Sequence, residues 1–275
     1  MLIFIVADIE GAVGIYRRSQ CYFLKPDFQY GKSCLTQDVN AVVAGALEGG
    51  ADSVIVRDTH ETGQNIIVER LHPRAQYVGG HFAAPFPILG DLKGSDLVFL
   101  VASHARSGND EGFFGHTFFG GFGEVRINGL AIGEAFIYGA ALAEVETPVA
   151  FNSGDSHAVR ESLSIMPWIK TVEVPKEEAH YTGPDSEKNM SALRGQLRMK
   201  AAQAVRERDS MRLFTQPPHP RWEVETKKPD LAEKIRSESI SLSGNTLTWE
   251  SGTYTDGFST LMQLVQSAFL AYSQP

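Results

Sequence analysis

Leu2-Ile3-Phe4-Ile5-Val6-Ala7-Asp8-Ile9-Glu10 opens the chain with an unbroken apolar run and closes it on two carboxylates. An apolar, β-branched run of this length with no polar alternation reads as a strand buried on both faces, the signature of a parallel sheet. It lacks a basic segment before it and runs straight into acids, so it reads as a first strand and not as a leader peptide. The same design recurs downstream. Ser53–Val56 is a second apolar run followed by Asp58-Thr59-His60, and Asp96–Ala102 is a third followed by Ser103-His104. Between the first two, Thr36 is placed to cap a helix over Gln37–Glu48, with Val39, Val42, Val43, Ala46 and Leu47 on one face and Gly49-Gly50 as its stop. A short helical stretch is expected at Ile66–Leu71. Asn128-Gly129 inside Val125–Ile132 marks a hairpin. A helix over Glu134–Val145 and a strand at Pro148–Asn152 follow. Strands separated by helices predict an α/β fold, a mostly parallel sheet flanked by helices, over residues 1–155.

Residues 156–275 read as a smaller α+β region available for oligomerisation. It holds a brief strand at Val172–Val174, a long helix at Ser186–Arg208, a rigid Gln216–Pro220 linker, strands near Trp222–Thr226 and Ser239–Trp249, and a last helix after Asp256. The Gly11–Leu35 connection is long for a βα loop and is expected to act as a lid or an interface arm. Of 275 residues, 33 are acidic and 25 basic, a formal charge of −8, which argues against nucleic-acid binding. No apolar run is long enough for a membrane span. Cys21 and Cys34 lack a CxxC spacing, so neither a disulfide framework nor a zinc knuckle is expected, and a reduced, cytoplasmic protein is.

In an open parallel sheet, ligands bind outside the carboxyl ends of the strands. Three consecutive strands here deliver Asp8 and Glu10, His60, and His104 to one rim, and Glu134 opens a helix just after the hairpin. Carboxylate and imidazole together suit zinc and are too nitrogen-rich for magnesium. Asp8, Glu10 and Glu134 bring three negative charges: one divalent cation leaves the cluster negative, and two leave it positive, which favours bound hydroxide. Five ligands also exceed the three plus water usual for one catalytic zinc. Each residue alone has a plainer reading, Asp-x-Glu as a surface turn and a lone His as structural, but their coincidence on successive strand ends favours a metal site. His116, in Gly112-Phe113-Phe114-Gly115-His116-Thr117, is either a packed aromatic-loop residue or a proton-transfer group near the rim. Asp58 either supports a ligand or caps a turn. His72, His81, His157, His180 and His219 read as structural.

Other signatures fail. His60-Glu61-Thr62-Gly63-Gln64 starts like HExxH but ends in Gln and follows a strand. Gly120-Gly121-Phe122-Gly123 is neither GxGxxG nor a P-loop, and there is no GxSxG or SxxK.

Asp8-Ile9-Glu10-Gly11, Arg57-Asp58-Thr59-His60, Ser103-His104-Ala105-Arg106, Gly115-His116-Thr117 and Asn128-Gly129 leading to Gly133-Glu134 resemble, in order and spacing, the zinc-dependent D-aminopeptidases of bacterial dipeptide-transport operons. Leu71-His72-Pro73 and Ser153-Gly154-Asp155 look like further markers. The resemblance covers residues 1–155 well and the remainder loosely. It implies two zinc ions per subunit, with Asp8 bridging, Glu10 and His104 completing one site, His60 and Glu134 the other, and His116 catalytic. It also implies a homodecamer of two stacked pentamers that admits short peptides and excludes folded proteins. Ser156 stands where the family usually has a second acid, and Lys176–Lys188 departs from its pattern.

The function expected is hydrolysis of N-terminal residues, D-residues such as D-alanine, from short peptides or amides. A metal-dependent amidase, deacylase or phosphoesterase is the first alternative, with Arg57 or Arg106 serving a phosphate. A non-catalytic peptide-binding protein is the second. Neither nucleic acid nor membrane is expected as a partner.

Overall fold

The structure is a computed structural model that describes residues 1–80 and 87–272; His81 lies outside the described residues. In chain order it contains β1 (Leu2–Ala7), α1 (Phe28–Gly49), β2 (Ser53–Asp58), β3 (Ala75–Val78), β4 (Leu97–Ser103), β5 (Phe122–Ile127), β6 (Leu130–Ala131), α2 (Glu134–Ala143), β7 (Val149–Gly154), α3 (Ser156–Ile165), β8 (Lys170–Glu173), α4 (Ala179–Thr182), α5 (Ser186–Arg206), β9 (Arg221–Thr226), α6 (Pro229–Ile235), β10 (Ser241–Ser243), β11 (Thr246–Glu250) and α7 (Tyr254–Tyr272). The first sheet has the order β3-β2-β1-β4-β7-β8, parallel throughout. The second, β10-β11-β9-β5-β6, is antiparallel. This is the α/β architecture expected. Each sheet draws on both sides of residue 155: β8 closes the parallel sheet, and the β5–β6 hairpin around Asn128-Gly129 joins the antiparallel one.

The apolar strands are buried on both faces because each face has its own core. Ile3, Ile5, Val54, Val56, Phe99 and Phe151 pack toward α1 and α5. Phe4, Val6, Ile55, Val98 and Leu100 pack on the opposite side with residues of α2, α7 and the antiparallel sheet. α1 and α5 approach closely where Gly45 and Gly49 meet the backbone of Arg198 and Ala202; a Cβ at either glycine would strike it.

Several local expectations change. The helix begins at Phe28, not Gln37, so the last third of the Gly11–Leu35 arm is helix. Thr36 caps nothing: it sits mid-helix, its hydroxyl donating to Lys32 O and accepting from Ile67 N. Gly50, at φ 111°, does end the helix in the left-handed conformation. Residues 11–15 are buried, while Phe23 and Leu24 are exposed. The stretch Ile66–Leu71 is a single 3₁₀ turn at Val68–Arg70. Among the described residues no helix is long and apolar enough to cross a membrane.

Candidate metal centre

β1 lies between β2 and β4, with Ala7 opposite both Asp58 and Val101. All three strands run the same way, so the residues that follow them emerge on one rim. The chain builds outward from β1 through β2 to β3 on one side and through β4 on the other, which makes the β1/β4 rim a switch point of the sheet. β4 is irregular there: its register with β7 slips between Leu100 and Ser103, and Ala102 adopts φ 64°. A bulge at a strand end re-aims the residues after it, here His104. Gly11 and Gly154 close on the Ser103 carbonyl from two sides, and a Cβ on either would collide with it.

All six site residues singled out in the sequence converge. His60 Nδ1 lies 3.2 Å from Asp8 Oδ1 and 3.3 Å from Glu10 Oε2. His104 Nε2 lies 3.3 Å from Asp8 Oδ2 and 3.4 Å from Glu134 Oε1. His116 Nε2 is 3.9 Å from Glu10 Oε1, and its ring stacks on His104 at 3.9 Å. The two oxygens of Asp8 therefore face different imidazoles. The distances gather the ligand-type residues into three close groups, Asp8–Glu10–His60, Asp8–His104–Glu134 and Glu10–His104–His116, the last holding the Glu10–His104 pair that the resemblance implies.

The far nitrogen of every imidazole is committed to a main-chain carbonyl: His60 Nε2 to Cys21 O at 2.9 Å, His104 Nδ1 to Ala105 O at 2.8 Å, His116 Nδ1 to Phe114 O at 2.9 Å. A carbonyl only accepts, so those nitrogens carry the proton and the inward nitrogens of the neutral rings carry lone pairs. Lone pairs then face carboxylate oxygens at 3.2–3.4 Å. Acceptor against acceptor holds only with a cation between them, either a second proton on the ring or a metal ion. Zinc bonds of about 2.0–2.1 Å in a tetrahedron put neighbouring ligand atoms about 3.3 Å apart, which fits this spacing.

The charges point the same way. Glu10 is 1% exposed and neither carboxylate oxygen has a hydrogen-bond donor among the described residues; the contact to His60 becomes a hydrogen bond only if that ring is doubly protonated. Burial raises the Asp8 carboxyl to about 7, helped by the Glu10 charge. Burial opposes charge on His60 and His104 too, yet the surrounding carboxylates hold both well above the ordinary imidazole range. The pocket selects for positive charge. His116 differs: burial and the neighbouring His104 push it down to about 4, so its ring stays neutral near pH 7.

Supporting residues hold this geometry, Asp58 in the ligand-support role that the sequence offered for it, and Asn65, Asp38 and Arg194 without having been singled out. Asp58 does not touch His60 directly; it accepts from Asn65 N, Asn65 Nδ2 and Ile66 N, and Asn65 Nδ2 also donates to His60 O at 2.6 Å. Asp155 caps α3 through His157 N and Ala158 N, while its other oxygen accepts from Ala105 N at 3.0 Å and so fixes the turn after His104. The turn after Glu10 is clamped from behind. Lys176 Nζ donates to Ala12 O at 2.9 Å and Ile15 O at 3.2 Å, Val13 N donates to Asp38, and Arg194 Nε pairs with Asp38 at 3.0 Å. Asp155 announces itself as an Asp-Ser-His-Ala helix start; isolated Lys176 and Arg194 carry no such signal.

Among the described residues, the side-chain hydrogen bonds of the two arginines offered for a phosphate lie away from the rim. Arg57 donates to the carbonyls of Ile88, Val78 and Gly80, and Arg106 to Ser107 O and Glu124.

A family model described as D-aminopeptidase, of the peptidase M55 family, matches residues 1–263. A curated D-aminopeptidase from Bacillus subtilis (strain 168) is 26% identical over 231 residues, covering 82% of this chain and 81% of the relative. The solved structure of the Zn-dependent D-aminopeptidase DppA from Bacillus subtilis, described as a self-compartmentalizing protease, superposes with a TM-score of 0.88 at 21% identity and covers 98% of each chain. At that identity the likeness is one of fold.

Proposed function

The chain belongs to the D-aminopeptidase family, and we propose that it is a two-zinc aminopeptidase that removes N-terminal D-residues from short peptides or amides. The observation that carries this reading is the facing of imidazole lone pairs and carboxylate oxygens around the split Asp8 carboxylate. Asp8, Glu10 and His60 would hold one zinc, and Asp8, His104 and Glu134 the other, with Asp8 shared. Such a pair, when bound, lowers the pKa of a water toward neutrality and polarises a substrate carbonyl.

The chain's own residues supply the rest. Glu10, sealed from solvent, keeps its charge available to a cation instead of to water. Phe118 N donates to Glu134 Oε1 at 2.8 Å and fixes that carboxylate. His116 is held with Nδ1–H on the Phe114 carbonyl and Nε2 turned inward, so Nε2 can accept a proton from the attacking water and return it to the leaving amine. D-selectivity is taken from the family description. The self-compartmentalizing character of DppA and the exposed Tyr22, Phe23 and Leu24 support a homo-oligomer, which we infer to be the decamer of two pentameric rings that the resemblance implies. We place the protein in the cytoplasm on its two reduced thiols.

Metal analysis and a substrate panel test the reading. The expected result is near two zinc ions per chain and cleavage of D-aminoacyl anilides over L-aminoacyl anilides and phosphoesters. One zinc, or preferential phosphoester cleavage, would overturn it. Light scattering should give a mass far above that of a single chain; a monomer across micromolar concentrations refutes the ring assembly.

A further inference from the structure

A file of rings leads outward from the metal centre. His116 stacks on His104, Phe114 lies 5.2 Å from His116, and the Arg18 guanidinium sits 4.6 Å over the Phe114 ring, with Tyr22 edge-on to Phe114 at 5.4 Å. Phe114 is held at φ 56°, a left-handed conformation unfavourable for a bulky residue and one that gathers at functional sites. That one conformation sends its carbonyl to His116 Nδ1 and its ring under Arg18.

Arg18 is exposed and has no carboxylate within ion-pair distance among the described residues, in a chain of net charge −8. Its neighbour Arg17 pairs with Glu178; Arg18 does not pair. A cation–π contact does not use up the N–H donors of a guanidinium, and those of Arg18 make no side-chain hydrogen bond among the described residues, so its fork is available to take a carboxylate with two hydrogen bonds.

We propose that Arg18, propped on Phe114, anchors the free C-terminal carboxylate of the substrate, so that the enzyme acts on di- and tripeptides in preference to their amides. The inference rests on the aminopeptidase reading above. Two ring steps leave at most roughly 10 Å between His116 and the guanidinium, a span that two or three residues cover at about 3.3–3.6 Å each. A longer peptide would overrun the anchor.

The test compares D-alanylglycine with D-alanylglycinamide on the zinc-loaded protein. The wild type should favour the free acid by about 10–100-fold in kcat/KM, the scale of a charge-assisted pair. In Arg18→Met that ratio should fall toward one, mainly through KM, and Arg18→Lys should retain part of it. The same two peptides titrated calorimetrically into zinc-loaded His116→Ala protein, with and without Arg18→Met, read the preference without turnover. If the wild type cleaves both peptides equally, or the preference survives in Arg18→Met, the anchor is refuted while the aminopeptidase reading stands. If Arg18→Met weakens both peptides alike and changes the mass by light scattering, Arg18 is an interface residue and the anchor is refuted. If neither peptide is cleaved, the aminopeptidase reading falls, and the binding preference in the His116→Ala background decides for or against Arg18 by itself.

Discussion

Lys176 should reveal itself through the pH dependence of stability. Its ammonium is enclosed between the turn after Glu10 and the Phe113 ring, 5.4 Å away, and burial lowers its pKa from 10.5 to about 8 against the opposing pull of Asp155, Cys21, Asp38 and Glu10. In the unfolded chain the same lysine titrates at its ordinary value. Between pH 8 and 10.5 the unfolded state therefore holds more protons, and stability rises with pH across that window. Below it the charged form costs up to about 3 kcal/mol, at 1.36 kcal/mol per unit; Lys176 keeps some solvent contact, which trims the figure. Other groups titrate in the same range, the buried Cys34 thiol at about 11 among them. The informative quantity is thus the difference between wild type and Lys176→Met. Urea denaturation followed by tryptophan fluorescence should show wild type gaining on the variant by up to about 3 kcal/mol from pH 8 to 10.5. Parallel curves would refute the reasoning. The variant also loses the hydrogen bonds to Ala12 and Ile15, so its zinc affinity should fall by about tenfold as Glu10 loosens.

Further outcomes concern the centre itself. His104→Ala should lose or loosen at least one zinc by metal analysis and shrink the thermal stabilisation that added zinc confers. His116→Ala should keep near two zinc ions while kcat falls about 10²–10⁴-fold; zinc lost in parallel with activity would make His116 a ligand, and full retained activity would make it a packing residue. Glu10→Gln should weaken zinc binding by more than about 10²-fold, read by competition with a chelating dye. Gly11→Ala puts a Cβ into the Ser103 carbonyl and should cost about 1–3 kcal/mol with loss of zinc, whereas Gly195→Ala, in an open position of α5, should stabilise by about 0.5–1 kcal/mol.

The strand ends were legible because the signal is local and doubled. Leu2–Ala7 declares a buried strand, and Asp8 and Glu10 declare that its end is wet and charged. His60 and His104 repeat the message, and their convergence needs only parallel pairing on either side of β1. Glu134 and His116 were legible as residues, but their distances to the centre depend on the 104–121 connection, which has no period to read. The sequence reading starts α1 too late because Gly31 and Ser33 are weak helix signals. Gly31 is there for a tertiary reason: the Gln20 backbone leaves no room for a side chain. α3 carries only its Asp155 cap as a sequence signal, and β3 is a short, half-buried edge strand without an apolar run to betray it. The Asp38–Arg194–Lys176 clamp joins residues more than a hundred positions apart, and no local pattern encodes that.

The carbonyls of Cys21, Ala105 and Phe114 bear on how this centre tolerates mutation. In many metal sites the groups that orient the imidazoles are carboxylate side chains, each open to deletion by one codon change. Here all three orienting groups belong to the peptide backbone, which every residue but a displaced one supplies. A deep mutational scan should therefore find intolerance at the ligands themselves, at the glycines that bring the strands together and at the Asp58, Asp155 and Lys176 supports of the turns, but not at the residues whose carbonyls orient the rings. Positions 21 and 105 should accept any side chain that fits their packing without altering imidazole protonation. The orientation of the centre is encoded in chain path, so drift in surrounding sequence can proceed a long way before the chemistry notices.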